Sequence, residues 1–565
     1  MTEEQDARAE LKERFFGFLE KLEGREATLQ LYEKNTLSVK FLAMQANGNH
    51  YIVENLKTPT GVMEHAMESY FERVLKECGY LADMYMLDFF VESLWEKLPV
   101  SWRSFYESQL NRVEDRRELV DFVKWILRRP NGEKKDKVEF LPSEPEPLSM
   151  TALRNVVHIV CLKQWKPIGK PSEVLSLVGL KKGSPELNSD NSFTNLKTVL
   201  PSSLRLKIKN KKEHEITRIV DVVKILLESL NVEVEEIVDI GAGIGHLSRI
   251  LSLLLPERKV STIEGDADLV DKASKIDEKI TKNKKYLDKA KEGKSEFLPL
   301  QRKALFIKNE EEISCFEGRN LFLTGLHTCG DFSATIVKHF VANSDAKILL
   351  HFGCCYHKLN GGKDKIFKDV YENSEKYQET SQGFPLSKLF SKLKLSYAAR
   401  EIACFGHEQF IQKLTESLDK KVMFVNSYRA IFEWIILDCP ENPAEVEDPY
   451  RHKGLRGFRG AESMDFWKYT VEALRDQPEM KEKFDKIIEK RPYLKNKVEE
   501  MIEKESFKVL ILYTFRLLIA PVVEALVLRD REQFLKEQGI KNTFLFPLFD
   551  PMLSPRNVAL VSWRA

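Results

Sequence analysis

The sequence lacks the cysteine spacing of a disulfide framework. Its 565 residues include 8 cysteines, and no two of them form a C-x-x-C pair. Scattered thiols are typical of proteins kept in a reducing compartment. We therefore expect free thiols and a cytoplasmic or nuclear localisation.

The sequence also lacks an excess of charge of either sign. Lysine and arginine number 88 against 87 aspartates and glutamates, which gives a formal net charge of +1. This balance provides no long-range attraction to nucleic acid, so any such attraction must come from local basic patches. The chain is 43% apolar and 31% charged, as in a globular protein, and its length predicts two or three domains.

No segment has the uninterrupted apolar run of a signal peptide or a membrane span. The chain begins with the acidic sequence Met-Thr-Glu-Glu-Gln, which predicts no signal peptide. The most apolar stretch, residues 507–528, contains Lys508, Arg516 and Glu524. Each of these charges would cost roughly 2.5–3.5 kcal/mol at a bilayer centre. We therefore predict a buried helix here and no membrane partner.

The third glycine of the dinucleotide-binding fingerprint is missing as well. Residues 236–240 have the pattern of a short buried strand, and Gly241, Gly243 and Gly245 follow it at alternate positions. Apolar residues then recur at helical spacing. A strand, a glycine turn and a helix form the first unit of a nucleotide-binding α/β sheet. His246 stands where a dinucleotide site would have its last glycine.

The spacing that is present is D-x-G-x-G-x-G, beginning at Asp239. It is similar to the cofactor loop of class I S-adenosylmethionine-dependent methyltransferases. A second predicted strand, residues 259–264, ends in Glu264. A carboxylate at this point can accept hydrogen bonds from both hydroxyls of a ribose. The pair of features favours a cofactor site over an ordinary glycine-rich turn.

Strands and helices alternate through the middle of the chain, which predicts a parallel sheet. Strands are predicted at residues 236–240, 259–264, 304–308, 321–326 and 346–352, with a closing hairpin at 543–549 and 557–563. Four regions follow from the pattern: a helical N-terminal region at 1–200, a first core part at 201–360, a helical insertion over the open end of the sheet at 361–504, and a closing helix with the hairpin at 505–565. The helical N-terminal region includes an apolar helical pattern at residues 81–95.

Several motifs resemble those of the methyltransferase-like 25 family, which includes relatives named for a ribosomal RNA adenine dimethylase domain. They are Thr324-Gly-Leu-His-Thr-Cys-Gly-Asp331, Gly353-Cys-Cys-Tyr-His-Lys358, Leu548-Phe-Asp-Pro-Met-Leu-Ser-Pro-Arg-Asn557, Lys211-Lys-Glu-His-Glu215, Gly383-Phe-Pro-Leu-Ser387 and Ala520-Pro-Val-Val-Glu524. The resemblance runs from about residue 90 to the C-terminus. It implies an α/β class I methyltransferase (Rossmann-like) fold with a seven-stranded sheet, and S-adenosyl-L-methionine as the cofactor.

The resemblance also implies roles for individual residues. The cofactor residues would be Asp239, Gly241, Gly243, Gly245 and Glu264. His327 and Cys329 would lie where methyl donor and acceptor meet, at the carboxyl end of the fourth strand. A general base is needed only if the acceptor must lose a proton, and His327, Asp331 and His357 are the candidates. The alternative for His327 is that it only caps the strand through a backbone hydrogen bond.

The same strand ends also carry candidate ligands for a zinc ion. Cys329, Cys354, Cys355 and His357 carry the side chains that zinc prefers. Neighbouring residues of a strand point to opposite faces, so Cys354 and Cys355 are not expected to bind one ion. We therefore predict buried thiols and no metal site.

The acceptor is less well defined by the sequence. Adenine-methylating enzymes carry an N-P-P-aromatic motif after the fourth strand, where it clamps a flipped base. Residues 326–331 depart from that motif completely. The ends of the fourth and fifth strands are instead similar to those of acceptor-stem tRNA 2′-O-methyltransferases. Basic patches at Arg205–Lys212 and Arg451–Arg459 fit an RNA partner, whereas the lysines at 272–294 are better explained as a solvated helix face.

Three hypotheses remain open from the sequence. The first is an RNA methyltransferase, favoured by the basic patches and the likeness to tRNA enzymes. The second is a protein or small-molecule methyltransferase whose helical insertion recognises the acceptor. The third is a non-catalytic scaffold that binds the cofactor. The intact glycine loop and Glu264 argue against the third, because a site that had lost its activity would have no physical need of them.

Overall fold

The chain divides into two compact units. One unit consists of Met1–Cys161 and Leu414–Val522, and the other of Leu162–Lys413 and Val523–Ala565. The computed structural model describes residues 25–30, 36–44, 51–58, 61–62, 66–128, 140–160, 167–180, 192–200, 208–282, 300–307, 320–362, 383–416, 424–438, 451–452, 455 and 458–564.

The first unit begins with strands rather than helices. They are β1 (Glu26–Gln30), β2 (Thr36–Met44), β3 (Tyr51–Thr58) and β4 (Gly61–Val62). All neighbours in this sheet are antiparallel, in the order β1-β2-β3-β4. The prediction of a helical N-terminal region is therefore wrong for the residues of these four strands. Apolar residues four positions apart lie on one side of both a helix and a strand, so short spacings of this kind do not distinguish the two.

Helices follow in the rest of the N-terminal part. They are α1 (Ala66–Asp83), α2 (Val100–Leu110), α3 (Arg116–Leu127) and α4 (Leu148–Val160). The helix predicted at 81–95 is interrupted, since α1 ends at Asp83 and only short 3₁₀ turns follow at Met86–Asp88 and Leu94–Lys97. Asp115 caps α3 by accepting hydrogen bonds from the backbone amides of Arg117 at 2.7 Å and Glu118 at 2.9 Å.

A seven-stranded sheet forms the centre of the second unit. Its strands are β5 (Glu236–Ile240), β6 (Lys259–Glu264), β7 (Gln301–Ala304), β8 (Leu321–Cys329), β9 (Ala346–Cys354), β10 (Asn542–Pro547) and β11 (Val558–Trp563). Their order is β10-β11-β9-β8-β5-β6-β7. Only β11 runs against the others, because it is antiparallel to both β9 and β10 while the remaining pairs are parallel. This topology confirms the predicted α/β class I methyltransferase fold with its closing hairpin.

The strands at the centre of the sheet were predicted better than the strand at its edge. Residues 236–240 and 259–264 are strands with the predicted bounds, whereas β7 begins three residues before the predicted 304–308 and ends where that prediction begins. The sequence of β7 is Gln-Arg-Lys-Ala, and its side chains are partly or fully exposed. An edge strand with little buried surface leaves no apolar pattern to detect.

Helices make up most of the rest of the second unit, and some of them supply the core of the sheet. They are α5 (Glu173–Leu177), α6 (Leu196–Val199), α7 (Asn210–Ser229), α8 (His246–Leu254), α9 (Ala267–Thr281), α10 (Asp331–Ala342), α11 (Tyr397–Ile402) and α12 (His407–Glu416). The apolar face of α7 shares one cluster of buried residues with α8 and the strands. That face was predicted from its spacing, and Ile219, Val223 and Leu226 on it are fully buried.

The predicted insertion does not form a region of its own. Its first part, up to Lys413, belongs to the second unit with α11. Its later helices, α13 (Val425–Ile436), α14 (Phe466–Ala473) and α15 (Pro478–Lys490), belong to the first unit. One buried cluster there joins Val91 from the N-terminal part to Ile431 and Ile435 of α13. The division of the chain thus differs from the predicted cap at 361–504, because residues far apart in sequence share this core.

The last helix, α16 (Leu494–Glu537), starts before the closing region predicted at 505–565 and contains Pro521. Within the described residues it is the one helix long and apolar enough to cross a membrane, and 94% of its most apolar window is buried inside the protein. Arg516 in that window is buried and donates a hydrogen bond to the carbonyl of Ala82 at 3.3 Å. A buried apolar helix whose buried arginine is hydrogen-bonded to the backbone agrees with the prediction of a core helix.

Candidate functional site

The glycine loop adopts a backbone that ordinary residues resist. Gly241, Gly243 and Gly245 have φ angles of +73°, +58° and +71°, in the left-handed region that favours glycine. A Cβ at Gly241 would lie 3.1 Å from the ring of Phe332, and one at Gly245 would lie 2.3 Å from the guanidinium of Arg302. Gly243 has open space around it, with nothing within 4 Å of an added Cβ. The loop is therefore tightly packed at both ends and accessible at its centre.

Glu264 closes the loop from the end of the neighbouring strand. Its carboxylate accepts a hydrogen bond from the amide of Gly243 at 2.7 Å and another from the amide of Asp266 at 3.1 Å. Each carboxylate oxygen can accept more than one hydrogen bond. Glu264 thus holds the loop and still has acceptor capacity for the hydroxyls of a ribose.

Asp239 lies beneath the loop in the strand β5 and is 1% exposed. Burial raises the pKa of its carboxyl to about 6, against the lowering effect of hydrogen bonds from Ser248. Among the described residues, its Oδ2 atom is buried with no hydrogen-bond partner. A buried carboxylate oxygen without a donor is costly. It fits a ligand that brings a positive charge or an N–H group to the loop.

An exposed aromatic ring lies near Glu264. Phe306 is 68% exposed just beyond the end of β7, and a Cβ at Gly265 would lie 2.9 Å from its Cδ2 atom. The glycine therefore lets the ring lie against the chain next to Glu264. An apolar face of this kind suits the ring of a nucleoside. Phe306 was not predicted as a site residue, because a single phenylalanine after an edge strand belongs to no recognisable sequence motif.

His327 pairs with a glutamate that the sequence analysis did not single out. Nε2 of His327 lies 3.0 Å from Oε1 of Glu215, a fully buried residue of α7. Ser554 donates a second hydrogen bond to Glu215 at 2.8 Å. Burial favours the neutral acid, but the hydrogen bonds from His327 and Ser554 and the positive charge of Lys212 outweigh it and lower the pKa of Glu215 to about 2. The motif Lys211–Glu215 had identified the segment but not this role.

The backbone of His327 is strained, with a φ of +63°. Histidine takes this left-handed conformation more readily than most residues other than glycine, yet it remains uncommon. Strain of this kind is often found at functional sites. The side-chain contact with Glu215 also shows that His327 does more than cap β8 through its backbone.

Three thiols meet at the ends of β8 and β9. The Sγ atom of Cys329 lies 3.3 Å from that of Cys354 and 3.2 Å from that of Cys355, and the last two are 3.7 Å apart. Cys354 and Cys355 would point to opposite faces if both remained in the strand, but β9 ends at Cys354 and Cys355 turns back with a φ of +52°. Hydrogen bonds from Cys329 and Cys354 lower the pKa of the Cys355 thiol.

Asp331 and His357, the other two predicted catalytic residues, have partners elsewhere in the second unit. The carboxylate of Asp331 accepts hydrogen bonds from the amides of Asn360 at 2.7 Å and Gly361 at 2.8 Å. Nδ1 of His357 lies 3.4 Å from the Sγ atom of Cys404, and burial lowers the pKa of this imidazole. These contacts give Asp331 a role in holding the loop that follows β9.

The two predicted RNA patches differ in their surroundings. Lys211 and Lys212 lie on the first turn of α7 with side chains 45% and 32% exposed, and Lys212 Nζ is 3.4 Å from Glu215. Arg451 instead forms an internal ion pair with Glu92 at 3.0 Å in the first unit. Residues 205–207, 283–294, 453–454 and 456–457 of the predicted basic segments lie outside the described residues.

Two parts of the chain match known protein families. Residues 211–362 match a family described as a methyltransferase domain, and this range includes the glycine loop, Glu264 and the ends of β8 and β9. Residues 3–67 match a family described as Gem-associated protein 7. The four strands of the N-terminal sheet lie within that second range.

Curated proteins from Homo sapiens and Mus musculus, both described as probable methyltransferase-like protein 25, are similar to this chain. The human protein is 31% identical over 247 residues, which cover 43% of this chain and 36% of the relative. The mouse protein is 27% identical over 246 residues, which cover 43% of this chain and 37% of the relative. The similarity thus spans little more than a third of each relative.

Two solved structures of methyltransferases also match. Coclaurine N-methyltransferase bound to N-methylheliamine and SAH is 11% identical, with 54% of this chain and 70% of that chain covered and a TM-score of 0.19. The selenomethionine-substituted CurJ carbon methyltransferase is 13% identical, with 51% and 79% covered and a TM-score of 0.20.

Proposed function

We propose that this chain, which matches a methyltransferase domain over residues 211–362 and is similar to methyltransferase-like protein 25 over part of its length, transfers a methyl group from S-adenosyl-L-methionine to RNA. The observation that carries the RNA acceptor is the position of two exposed lysines beside the Glu215–His327 pair. Different residues of the second unit would bind the cofactor and the acceptor.

On the cofactor side, the residues present fit S-adenosylmethionine. Gly243 leaves the centre of the loop open, Glu264 has acceptor capacity for the ribose, and the unpartnered oxygen of Asp239 suits a positively charged group. The exposed ring of Phe306 next to Glu264 suits the adenine. When bound, the cofactor supplies an electrophilic methyl group on a sulfonium. The contribution of the loop is to hold and orient it.

On the acceptor side, His327 is placed to remove a proton from a hydroxyl group. Glu215 accepts a hydrogen bond from Nε2–H of His327, which leaves Nδ1 as the proton-accepting nitrogen of the imidazole. A carboxylate partner fixes the ring orientation and stabilises the positive charge that forms on the ring when it takes up the proton. Among the four predicted catalytic residues, His327 has the contacts that best match a general base.

The charge beside this pair favours an anionic acceptor. Lys211 and Lys212 carry positive charges on the first turn of α7, within 4 Å of the Glu215 carboxylate. Each lysine is partly exposed, so its ammonium group can contact a phosphate from solvent. A polyanion that reaches the hydroxyl-activating pair along these lysines agrees with methylation of an RNA ribose. Such contacts weaken as the salt concentration rises.

The experiment is methyl transfer from labelled S-adenosylmethionine to a lysate depleted of its own methylation, followed by separate nuclease and protease digestion. We expect label that nuclease releases. Label that survives nuclease and is lost on protease treatment overturns the RNA acceptor, and label in the small-molecule fraction does so as well. Cofactor binding without any incorporation would favour a scaffold.

Reversing the charge of both lysines tests whether they bind the RNA. We expect Lys211→Glu with Lys212→Glu to reduce labelling of RNA by at least about tenfold, since two phosphate contacts are lost, without changing cofactor affinity. The control is Lys224→Glu on the same helix, where the side chain is 59% exposed. Lys224 lies 12 positions from Lys212, which is about 18 Å along a helix. If Lys224→Glu reduced the labelling of RNA as much as the double variant does, the assignment of Lys211 and Lys212 to RNA binding would be wrong.

A further inference from the structure

We propose that Cys329, Cys354 and Cys355 bind one thiophilic metal ion of the zinc class, at a site distinct from the cofactor loop. The site rests on the geometry of the three thiols alone and is independent of the RNA acceptor. The cluster lies at the carboxyl ends of two neighbouring parallel strands, where Cys329 and Cys354 are paired in register. Both backbone segments that carry it are therefore held by the sheet.

The distances between the sulfur atoms match a metal site better than a disulfide. Three thiolates at about 2.3 Å from a tetrahedral zinc ion lie about 3.8 Å from one another. The observed separations are 3.2, 3.3 and 3.7 Å, and a disulfide would need about 2.05 Å. Among the described residues, these three sulfur atoms form a group whose members all lie within 4.8 Å of one another.

The backbone conformation of Cys355 directs its side chain towards the other two thiols. A residue that continued β9 would point its side chain away from Cys354. Cys355 instead takes a φ of +52°, which is uncommon for a residue other than glycine. The turn brings a third sulfur to the two that the strand register has already placed together. Close packing of small apolar side chains does not need such a conformation.

Three protein ligands leave one position of a tetrahedral ion open, as in catalytic zinc sites. Cys354 is buried, whereas Cys329 and Cys355 are partly exposed, so solvent can reach the cluster. The Sγ atom of Cys329 also lies 3.3 Å from the carbonyl oxygen of His327. The open position would therefore be taken by a water molecule.

Binding converts thiols to metal thiolates and releases their protons, up to three for each ion. The test uses the full-length protein, reduced and stripped of metal with a chelator, and titrated with Co²⁺ as a spectroscopic probe and with Zn²⁺ as a competitor. We expect one equivalent of Co²⁺ with thiolate-to-metal charge-transfer absorption, proton release, and loss of that absorption when Zn²⁺ is added.

Cys329→Ser and Cys355→Ser should each abolish the charge-transfer absorption, and both residues are partly exposed, so the variants should fold. The control is Cys78→Ser, a thiol of the first unit, which should retain it. Fully reduced wild-type protein that binds no Co²⁺ or Zn²⁺ overturns the proposal. Detection of a Cys329–Cys354 disulfide together with no metal uptake after reduction overturns it in favour of a redox pair. Each readout is independent of methyl transfer.

Discussion

Nε2 of His327 lies 3.0 Å from Oε1 of Glu215, although 112 positions separate the two residues in the chain. The contact joins the first turns of α7 to the carboxyl end of β8. It places a buried carboxylate behind the imidazole, in the arrangement that orients a histidine for proton transfer.

Changing either member of this pair should lower methyl transfer while cofactor binding stays constant. We expect Glu215→Gln and His327→Asn to reduce kcat by about 100-fold or more, as on loss of a general base. Asparagine is chosen because it tolerates the left-handed backbone of His327 better than alanine does. Cofactor affinity measured by calorimetry is the control. An unchanged kcat in both variants would leave the pair with a structural role only.

The second prediction concerns the open centre of the glycine loop. Gly243→Arg should abolish binding of S-adenosylmethionine, because the new side chain fills the loop and strains a backbone with a φ of +58°. Gly179→Arg is the matched control, since Gly179 has a φ of +72° and equally open surroundings in the same unit. Calorimetry on both variants tests this. If Gly243→Arg bound S-adenosylmethionine as tightly as the wild type, the assignment of the glycine loop to the cofactor would be wrong.

The third prediction concerns the pH dependence of cofactor binding. The pKa of Asp239 is raised to about 6 by burial, so the free protein holds this carboxyl partly protonated below that pH. A positively charged ligand binds the carboxylate form more tightly. Affinity should therefore rise as the pH increases from about 5 to 7, by at most about tenfold per pH unit for a single proton.

Calorimetry across that pH range measures the effect, and Asp239→Asn supplies the comparison. The variant should bind more weakly at neutral pH and lose the dependence, because an amide has no charge to titrate. The same slope in wild type and variant would show that another group is responsible.

The fourth prediction separates stability from catalysis at Asp331. Its carboxylate holds the amides of Asn360 and Gly361, so Asp331→Ala leaves two donors without an acceptor. We expect a loss of about 3 kcal/mol in the free energy of unfolding, seen as a lower melting temperature. The melting temperature of Asp331→Asn should lie between those of the wild type and Asp331→Ala. A loss of kcat with an unchanged melting temperature would restore the catalytic role that the sequence suggested.

Local sequence patterns were enough wherever a short segment determines its own conformation. The loop at Gly241–Gly245 needs left-handed glycines, and Ile219, Val223 and Leu226 repeat at the spacing of one helix face. Both features could be read from consecutive residues. The polar edge strand at Gln301–Ala304 could not, because so little of its surface is buried.

The sequence by itself therefore determined the fold class, the glycine loop and the acid at Glu264. Tertiary structure alone decided that Glu215 meets His327, that Asp331 is engaged by a loop, and that three thiols converge. Those contacts join segments up to 112 positions apart, and their geometry depends on strand register and on single backbone turns such as that at Cys355. The physical reason is that local spacing sets which face a side chain occupies, whereas the packing of distant segments sets what it touches.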